Sequence, residues 1–128
     1  MRETIETGLP QHSQPFAWAT RAGGFIFTTH GPVQSDGTIL QAPIEQQARL
    51  TLDNLKTALA NAGASLDDVA QVQIFLIDAA DMAPVDRVYR EYFQAPYPTR
   101  ASLVVAGLVA PGMRIELCAV AHAPGVTD

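Results

Sequence analysis

The sequence predicts an α+β fold in which one mixed β-sheet carries two helices on one of its faces. The first observation is the order of the segments, which alternate in composition and periodicity as β-β-α-β-α-β-β. The second is that only two segments have the three- and four-residue apolar spacing of a helix. The third is that no repeat, low-complexity tract or linker divides the 128 residues. We therefore expect a single domain spanning residues 1–128.

The first half of the chain predicts a β-hairpin followed by a long helix. Residues 16–20 and 25–30 are rich in aromatic and β-branched side chains, and a Gly-Gly turn separates them. A helix is predicted over residues 43–62, because Pro43 suits a helix start and Gly63 suits the position after its end. Its apolar stripe consists of Ile44, Ala48, Leu52, Leu55, Leu59 and Ala62.

The second half predicts a strand, a helix and two further strands. Residues 69–77 are apolar on both faces at their far end, which is typical of a central strand. A helix over residues 81–93 begins with Asp81 as its cap, and its core face consists of Val85, Val88, Tyr89 and Tyr92. Strands follow at 101–106 and 114–121. Two helices on one face leave the other sheet face open.

The charge content restricts the possible partners. Charged residues make up 16% of the chain, below the roughly 25% of ordinary domains, so we expect copies of the chain to cover the open sheet face. The formal net charge of −5 argues against a nucleic-acid partner. No apolar run is long enough to span a bilayer and the first residues lack the apolar core of a signal peptide, so we expect a cytoplasmic protein without a membrane partner.

A group of three polar residues on the last two strands is the leading candidate for chemistry. If these strands form a hairpin centred near Val109, then Ser102 lies opposite Glu116 and Arg100 lies opposite Cys118. An arginine can bind a carboxylate through two parallel hydrogen bonds, and a glutamate can position or deprotonate water. A purely structural Arg100–Glu116 ion pair is the alternative. Arg114 could pair with Glu116 or with a neighbouring subunit.

The remaining reactive side chains predict less. His30 ends a strand, where it is either a base or a structural residue, and His12 and His122 are expected to be solvated. No histidine pair has metal-ligand spacing, and the single cysteine excludes an intrachain disulfide. We expect Cys118 to be a buried, unreactive thiol. Ser102 lacks a histidine partner for a nucleophilic triad.

Several segments together resemble the Rid family, the reactive intermediate deaminases also called YjgF-type proteins. They are VDRVYREYF at residues 85–93, PYPTRAS at residues 96–102, NAGASLDDV at residues 61–69 and RIE at residues 114–116. The resemblance covers roughly residues 15–122. It implies a chorismate-mutase-like fold assembled as a homotrimer, with a central β-barrel and active-site clefts between subunits.

The resemblance also implies an activity. Typical members hydrolyse small enamines and imines that carry a carboxylate, such as 2-aminoacrylate and 2-iminopropionate, to 2-keto acids and ammonia. They need no cofactor and no metal. Arg100 matches the arginine that binds the substrate carboxylate, and Glu116 matches the glutamate that orients water. Ser102 stands at a position that is often cysteine, where mainly backbone groups contact the ligand.

The departures from the family pattern concentrate around the expected substrate pocket. This chain has Phe16 in place of the family's tyrosine, His30 in place of its usual glycine and Asp86 in place of its common asparagine. Gly31 follows His30 directly. His30 either adds an acid/base group or fills the pocket. These changes are compatible with a specialised substrate, and the alternative is a regulatory trimer that binds small carboxylates without turnover. Endoribonuclease activity, which is attributed to some relatives, is a third hypothesis, and the excess of acidic over basic residues argues against it.

Overall fold

A computed structural model describes residues 1–124, and residues 125–128 of the predicted domain lie outside the described part. Within residues 1–124 the strands and helices follow in the order expected, preceded by one additional two-residue strand. They are β1 (Glu3–Thr4), β2 (Ala19–Ala22), β3 (Phe25–His30), α1 (Ile44–Asn61), β4 (Val69–Leu76), α2 (Met82–Tyr92), β5 (Thr99–Val104) and β6 (Ile115–His122).

The strands form one mixed sheet in the order β1-β2-β3-β6-β4-β5, and the predicted α+β class is confirmed. Every neighbouring pair is antiparallel except β4 and β5, which are parallel. The helices pack against each other, and α1 contacts β3 and β6. The core lies between the helices and the sheet face that carries Ile26, Val72, Ile74 and Leu117, each of which is at most 1% exposed.

The predicted hairpin of the last two strands is wrong, because β4 lies between them. The chain leaves β4, crosses the sheet through α2 and returns as β5 parallel to β4, as a βαβ connection requires. β6 then pairs antiparallel with the other edge of β4. The prediction that β4 is central is confirmed, whereas β5 is an edge strand whose residues do not pair with β6.

Helix α1 buries the stripe that its periodicity predicts. The six apolar residues from Ile44 to Ala62 are each at most 5% exposed. The helix ends one residue before the predicted limit, and Gly63 follows with a φ of +80°, a conformation that glycine adopts without strain. Burying this stripe against the sheet supplies much of the apolar burial that stabilises the fold.

Helix α2 also buries its expected face, but its start differs from the prediction. Val85, Val88 and Tyr89 are buried, whereas the Tyr92 hydroxyl donates a hydrogen bond to Asp53 Oδ1 at 2.7 Å. Asp81 makes no capping hydrogen bond, and its carboxylate instead accepts two hydrogen bonds from Arg114, at 2.7 and 2.9 Å. The predicted pairing of Arg114 with Glu116 or with a neighbouring subunit is therefore replaced by a contact within the chain.

The sheet face turned away from the helices exposes large apolar side chains. Phe25 and Phe27 on β3 are each 45% exposed, and Leu103 on β5 is 42% exposed. This is the open face that the arrangement of the elements predicts. Large apolar side chains exposed on one face in this way are typical of a surface covered by another protein chain.

Candidate functional site

The predicted group of Arg100, Ser102 and Glu116 is not brought together within one chain. Arg100 lies beside Val72, and Ser102 beside Ile74, so both belong to the sheet face that the helices cover. Glu116 pairs with Phe75, the residue after Ile74. Because successive side chains of a strand point to opposite faces of the sheet, Glu116 belongs to the face opposite that of Arg100 and Ser102. The assumed hairpin register failed for this reason, since a strand inserted between two others changes which residues share a face.

Glu116 lines a cavity of about 620 Å³, called here the Glu116 cavity. Phe16, His30 and Gly31 line the same cavity, so four of the residues singled out in the sequence lie around one space. No lysine or arginine is among its lining residues within the described part of the chain. A ligand carboxylate in this cavity therefore lacks a cationic partner from the same chain.

The Glu116 carboxylate is oriented by a neighbouring strand. The Thr29 hydroxyl on β3 donates a hydrogen bond to Glu116 Oε2 at 3.3 Å, and Cys118 Sγ lies 3.6 Å from Thr29 Oγ1. Cys118 is half-buried rather than buried as predicted. Because Thr29 engages one carboxylate oxygen, Glu116 retains capacity to accept a hydrogen bond from water or ligand.

His30 is neutral and buried. Its side chain is 1% exposed, and burial lowers its pKa to about 3. The Thr28 hydroxyl donates to the backbone carbonyl of Trp18 at 2.9 Å, so its contact with His30 Nε2 requires that nitrogen to donate. Nδ1 is then an acceptor, and it has no partner among the described residues. A neutral imidazole that fills space agrees with one of the two predicted roles, and the lowered pKa argues against a protonated acid.

The segment before β2 forms an aromatic part of the cavity lining. The predicted strand over residues 16–20 begins only at Ala19, because Phe16 and Trp18 fold against His12 instead of extending the sheet. The Phe16 and His12 rings stack with centroids 4.0 Å apart. His12 is therefore not solvated as predicted, whereas His122 is exposed.

Two polar side chains on α1, which were not predicted from the sequence, fix the loops around the cavity. Gln47 is 1% exposed, donates to the carbonyls of Leu40 and Gly112 and accepts from the backbone of Arg114, each at 2.9 Å. Asn54 donates to the carbonyls of Gly31 and Val33 at 3.1 and 3.0 Å. The available signal was the presence of amides on a helix face that is otherwise apolar.

Arg100 lines a separate space of about 230 Å³, called here the Arg100 cleft. Its guanidinium donates to Asp86 Oδ1 at 2.7 Å and lies 4.7 Å from the centre of the Tyr89 ring. The predicted alternative of an Arg100–Glu116 ion pair is therefore wrong, because the counter-ion is Asp86. Ser102 is exposed on the edge strand and is absent from the lining of both spaces.

Tyr89 adds a polar group to the Arg100 cleft. Burial raises its pKa to about 12, so the phenol remains protonated at neutral pH. Its hydroxyl is buried and has no hydrogen-bond partner among the described residues. Arg100 supplies the cation of this cleft, whereas the Tyr89 hydroxyl is buried out of contact with solvent.

Neither a metal centre nor a membrane span is found in residues 1–124. This part of the chain has no cluster of three or more histidine, cysteine or acidic side chains that could hold a metal ion. None of the helices in this part of the chain is sufficiently long and apolar to cross a bilayer.

Comparison with known proteins identifies relatives across almost the whole chain. A model of the family described as Endoribonuclease L-PSP matches residues 8–123. The 3-aminoacrylate deaminase RutC of Acinetobacter baylyi is 36% identical over 120 residues, covering 92% of this chain and 94% of RutC. The mitochondrial protein mmf2 of Schizosaccharomyces pombe is 38% identical over 106 residues, covering 80% and 83%. The crystal structure of Escherichia coli TdcF with bound serine has a TM-score of 0.85 and 33% identity, covering 94% and 98%.

Proposed function

The chain belongs to the endoribonuclease L-PSP family, the family of the Rid proteins, and within it we propose that it is a deaminase of carboxylate-bearing imines and enamines. The substrates are of the 2-aminoacrylate and 2-iminopropionate type, and the products are a 2-keto acid and ammonia. The observation that carries the proposal is the Glu116 cavity, where a carboxylate with a free acceptor faces a space large enough for a ligand. The relative named 3-aminoacrylate deaminase supports the reaction class.

The site is shared between subunits of a homotrimer. Among the described residues, no arginine or lysine lines the Glu116 cavity. The Arg100 cleft, which lies on the other sheet face, provides a cation but does not include Glu116. A neighbouring copy that brings its Arg100 cleft to the Glu116 cavity supplies both groups to one substrate. The exposed Phe25, Phe27 and Leu103 of the open face are the surface that such an assembly would bury.

The chemistry requires one acid/base group and one anchor. Arg100 binds the substrate carboxylate and fixes the imine carbon, which lowers the entropic cost of the attack. Glu116 accepts a proton from water as the water oxygen bonds to the carbon of the protonated imine, and a neutral carbinolamine forms. Glu116 then returns this proton to the amine nitrogen, the C–N bond breaks and ammonia leaves, and the Glu116 carboxylate accepts the hydroxyl proton as the carbonyl forms. An enamine reaches the same path after tautomerising to its imine.

The pairing of Arg100 with Asp86 bears on how tightly a carboxylate binds. Asp86 neutralises part of the arginine charge, and a substrate carboxylate must share or displace that contact. The cation remains suitable as an anchor because its side chain is 23% exposed. RNA cleavage, which the description of the family names, fits this chain less well, since its formal net charge is −5.

Hydrolysis of 2-iminopropionate by purified protein tests the function. Arg100→Ala should lower kcat/KM by about 100-fold or more, because it removes a charge-assisted contact to the substrate. Arg87→Ala is the matched control: this arginine is 65% exposed on α2, lies 3.8 Å from Glu45, and should leave the rate unchanged. Equal rates for Arg100→Ala and the parent would refute the assignment. Thermal stabilisation by pyruvate without imine consumption would instead indicate the carboxylate-binding trimer.

Subunit mixing tests the shared site. Arg100→Ala and Glu116→Gln trimers should each be inactive, and a mixed trimer regains one intact site wherever the two intact residues meet across an interface. Random reassembly of equal amounts should restore about a quarter of the parent activity. A site contained within one subunit would remain inactive in every mixture. Sedimentation should give about three times the chain mass of 13.7 kDa, and a stable monomer would refute the assembly.

A further inference from the structure

Three ring side chains form one side of the Glu116 cavity, and we call them the aromatic wall: His12, Phe16 and Trp18. Phe16 stacks on His12 with centroids 4.0 Å apart, and Trp18 meets both rings edge-on at 5.0 and 5.1 Å. Such arrangements are favourable for aromatic side chains. Phe16 nevertheless remains 41% exposed, so a large apolar surface is left uncovered inside a concave space.

The aromatic wall is fixed in place by hydrogen bonds to both sides. The Trp18 indole donates from Nε1 to the carbonyl of Pro10 at 2.8 Å, which ties the ring to the preceding segment. The Trp18 carbonyl accepts from the Thr29 backbone at 3.0 Å and so connects the wall to β3. Thr29 also orients Glu116, and the wall and the carboxylate are thereby attached to the same strand residue. A surface held in this way loses little entropy when a ligand packs on it.

The rest of the lining mixes apolar with polar side chains, and the cavity is larger than a three-carbon substrate needs. Val33, Ile39, Val109 and Met113 contribute to its lining. Its volume of about 620 Å³ lies within the roughly 300–1,000 Å³ of cavities that hold drug-sized ligands. A 2-iminopropionate bound at Glu116 would leave the aromatic wall without a ligand contact. A longer apolar side chain on the imine carbon would cover it.

We propose that the substrate is an imine or enamine whose side chain is large and apolar, with an aromatic ring preferred, and that this side chain packs on the aromatic wall. The inference rests on the proposed deaminase function and specifies its substrate class. The imine carbon lies at Glu116, the carboxylate lies at Arg100 of the neighbouring subunit, and the side chain extends along Phe16. Phe16 carries no polar group, so the surface along which the side chain extends is apolar.

The test compares imines generated in situ from alanine, leucine and phenylalanine by an amino acid oxidase. We expect kcat/KM for the phenylalanine imine to exceed that for the alanine imine by about tenfold or more, since apolar contacts of this size discriminate by that amount. Phe16→Ala should lower this ratio about tenfold, and Phe16→Leu should lower it less. Ile77→Ala is the matched control, because Ile77 is an apolar side chain of similar exposure (39%) that lines neither the Glu116 cavity nor the Arg100 cleft. This replacement should leave the ratio unchanged.

Binding of the keto-acid products separates this inference from the proposed function. Phenylpyruvate should bind about tenfold more tightly than pyruvate by calorimetry, and Phe16→Ala should abolish the difference. That result without hydrolysis of any imine would support the aromatic wall and refute the deaminase. Hydrolysis of the alanine imine with no preference in either assay would support the deaminase and overturn the aromatic substrate class.

Discussion

The buried histidine at the cavity makes the stability of the fold depend on pH. We consider the replacement His30→Gln, because glutamine is neutral at every pH and its amide can donate to Thr28 as His30 Nε2 does. His122→Gln is the control, since His122 is also a histidine in the sheet but is exposed. Comparing the two replacements isolates the effect of burying an imidazole.

The size of the effect follows from the pKa. Burial lowers the pKa of His30 from 6.5 to about 3 in the folded state, whereas the unfolded chain keeps the ordinary value. Between these pH values only the unfolded state binds the proton, so the free energy of unfolding is highest above pH 6.5 and falls as the pH drops. The fall is about 1.4 kcal/mol per pH unit, which amounts to about 2 kcal/mol between pH 8 and pH 5.

Urea denaturation at fixed protein concentration measures this dependence, since concentration also affects the stability of an oligomer. The parent and His122→Gln should lose about 2 kcal/mol more than His30→Gln between pH 8 and pH 5, provided that the urea m-values agree. The glutamine variant can be less stable at pH 8, because it removes packed ring atoms, and only the difference in slope matters. Parallel curves for all three proteins would show that His30 takes up its proton in the folded state.

Two further replacements test the ion pairs of the site region. Asp86→Asn should strengthen pyruvate binding about threefold to tenfold, measured by calorimetry, because it removes the charge that partly neutralises Arg100; weaker binding would show that Asp86 orients the guanidinium instead. Asp81→Asn should lower the free energy of unfolding by about 2 kcal/mol in urea, since Asp81 is 5% exposed and accepts two hydrogen bonds from Arg114. The exposed Arg49–Glu91 pair gives the comparison: Glu91→Gln should cost less than about 1 kcal/mol, and equal losses would contradict the role of burial.

Local patterns predicted the elements of this fold better than their pairing. The apolar spacing of α1 and the strand composition of β3 gave bounds within one residue of those observed, because periodicity and β-branching act over short distances. The pairing of β5 was predicted wrongly. Ten residues separate Val104 from Ile115, a length compatible with a hairpin loop, and the position of β4 between them depends on contacts across the whole sheet.

For the candidate site, too, the residues were easier to predict from the sequence than their contacts. The resemblance identified Phe16, His30, Gly31 and Glu116, and they line one cavity. The counter-ion of Arg100 depends on the rotation of α2 about its axis, which places Asp86 within 2.7 Å and which no short pattern specifies. Gln47 was missed for a related reason, since it joins a loop seven residues before it to a loop 65 residues after it in sequence.

The separation of Arg100 from Glu116 makes the proposed activity a property of the assembly. The two side chains leave opposite faces of one sheet, and no rotation about side-chain bonds carries both to one small substrate. Placing the anchor and the acid/base group on different surfaces of the chain means that a lone subunit can bind a carboxylate or position water but cannot do both at one carbon. Mutations of the exposed apolar residues of the open face, Phe25, Phe27 and Leu103, should therefore abolish turnover by the same route as mutations of Arg100.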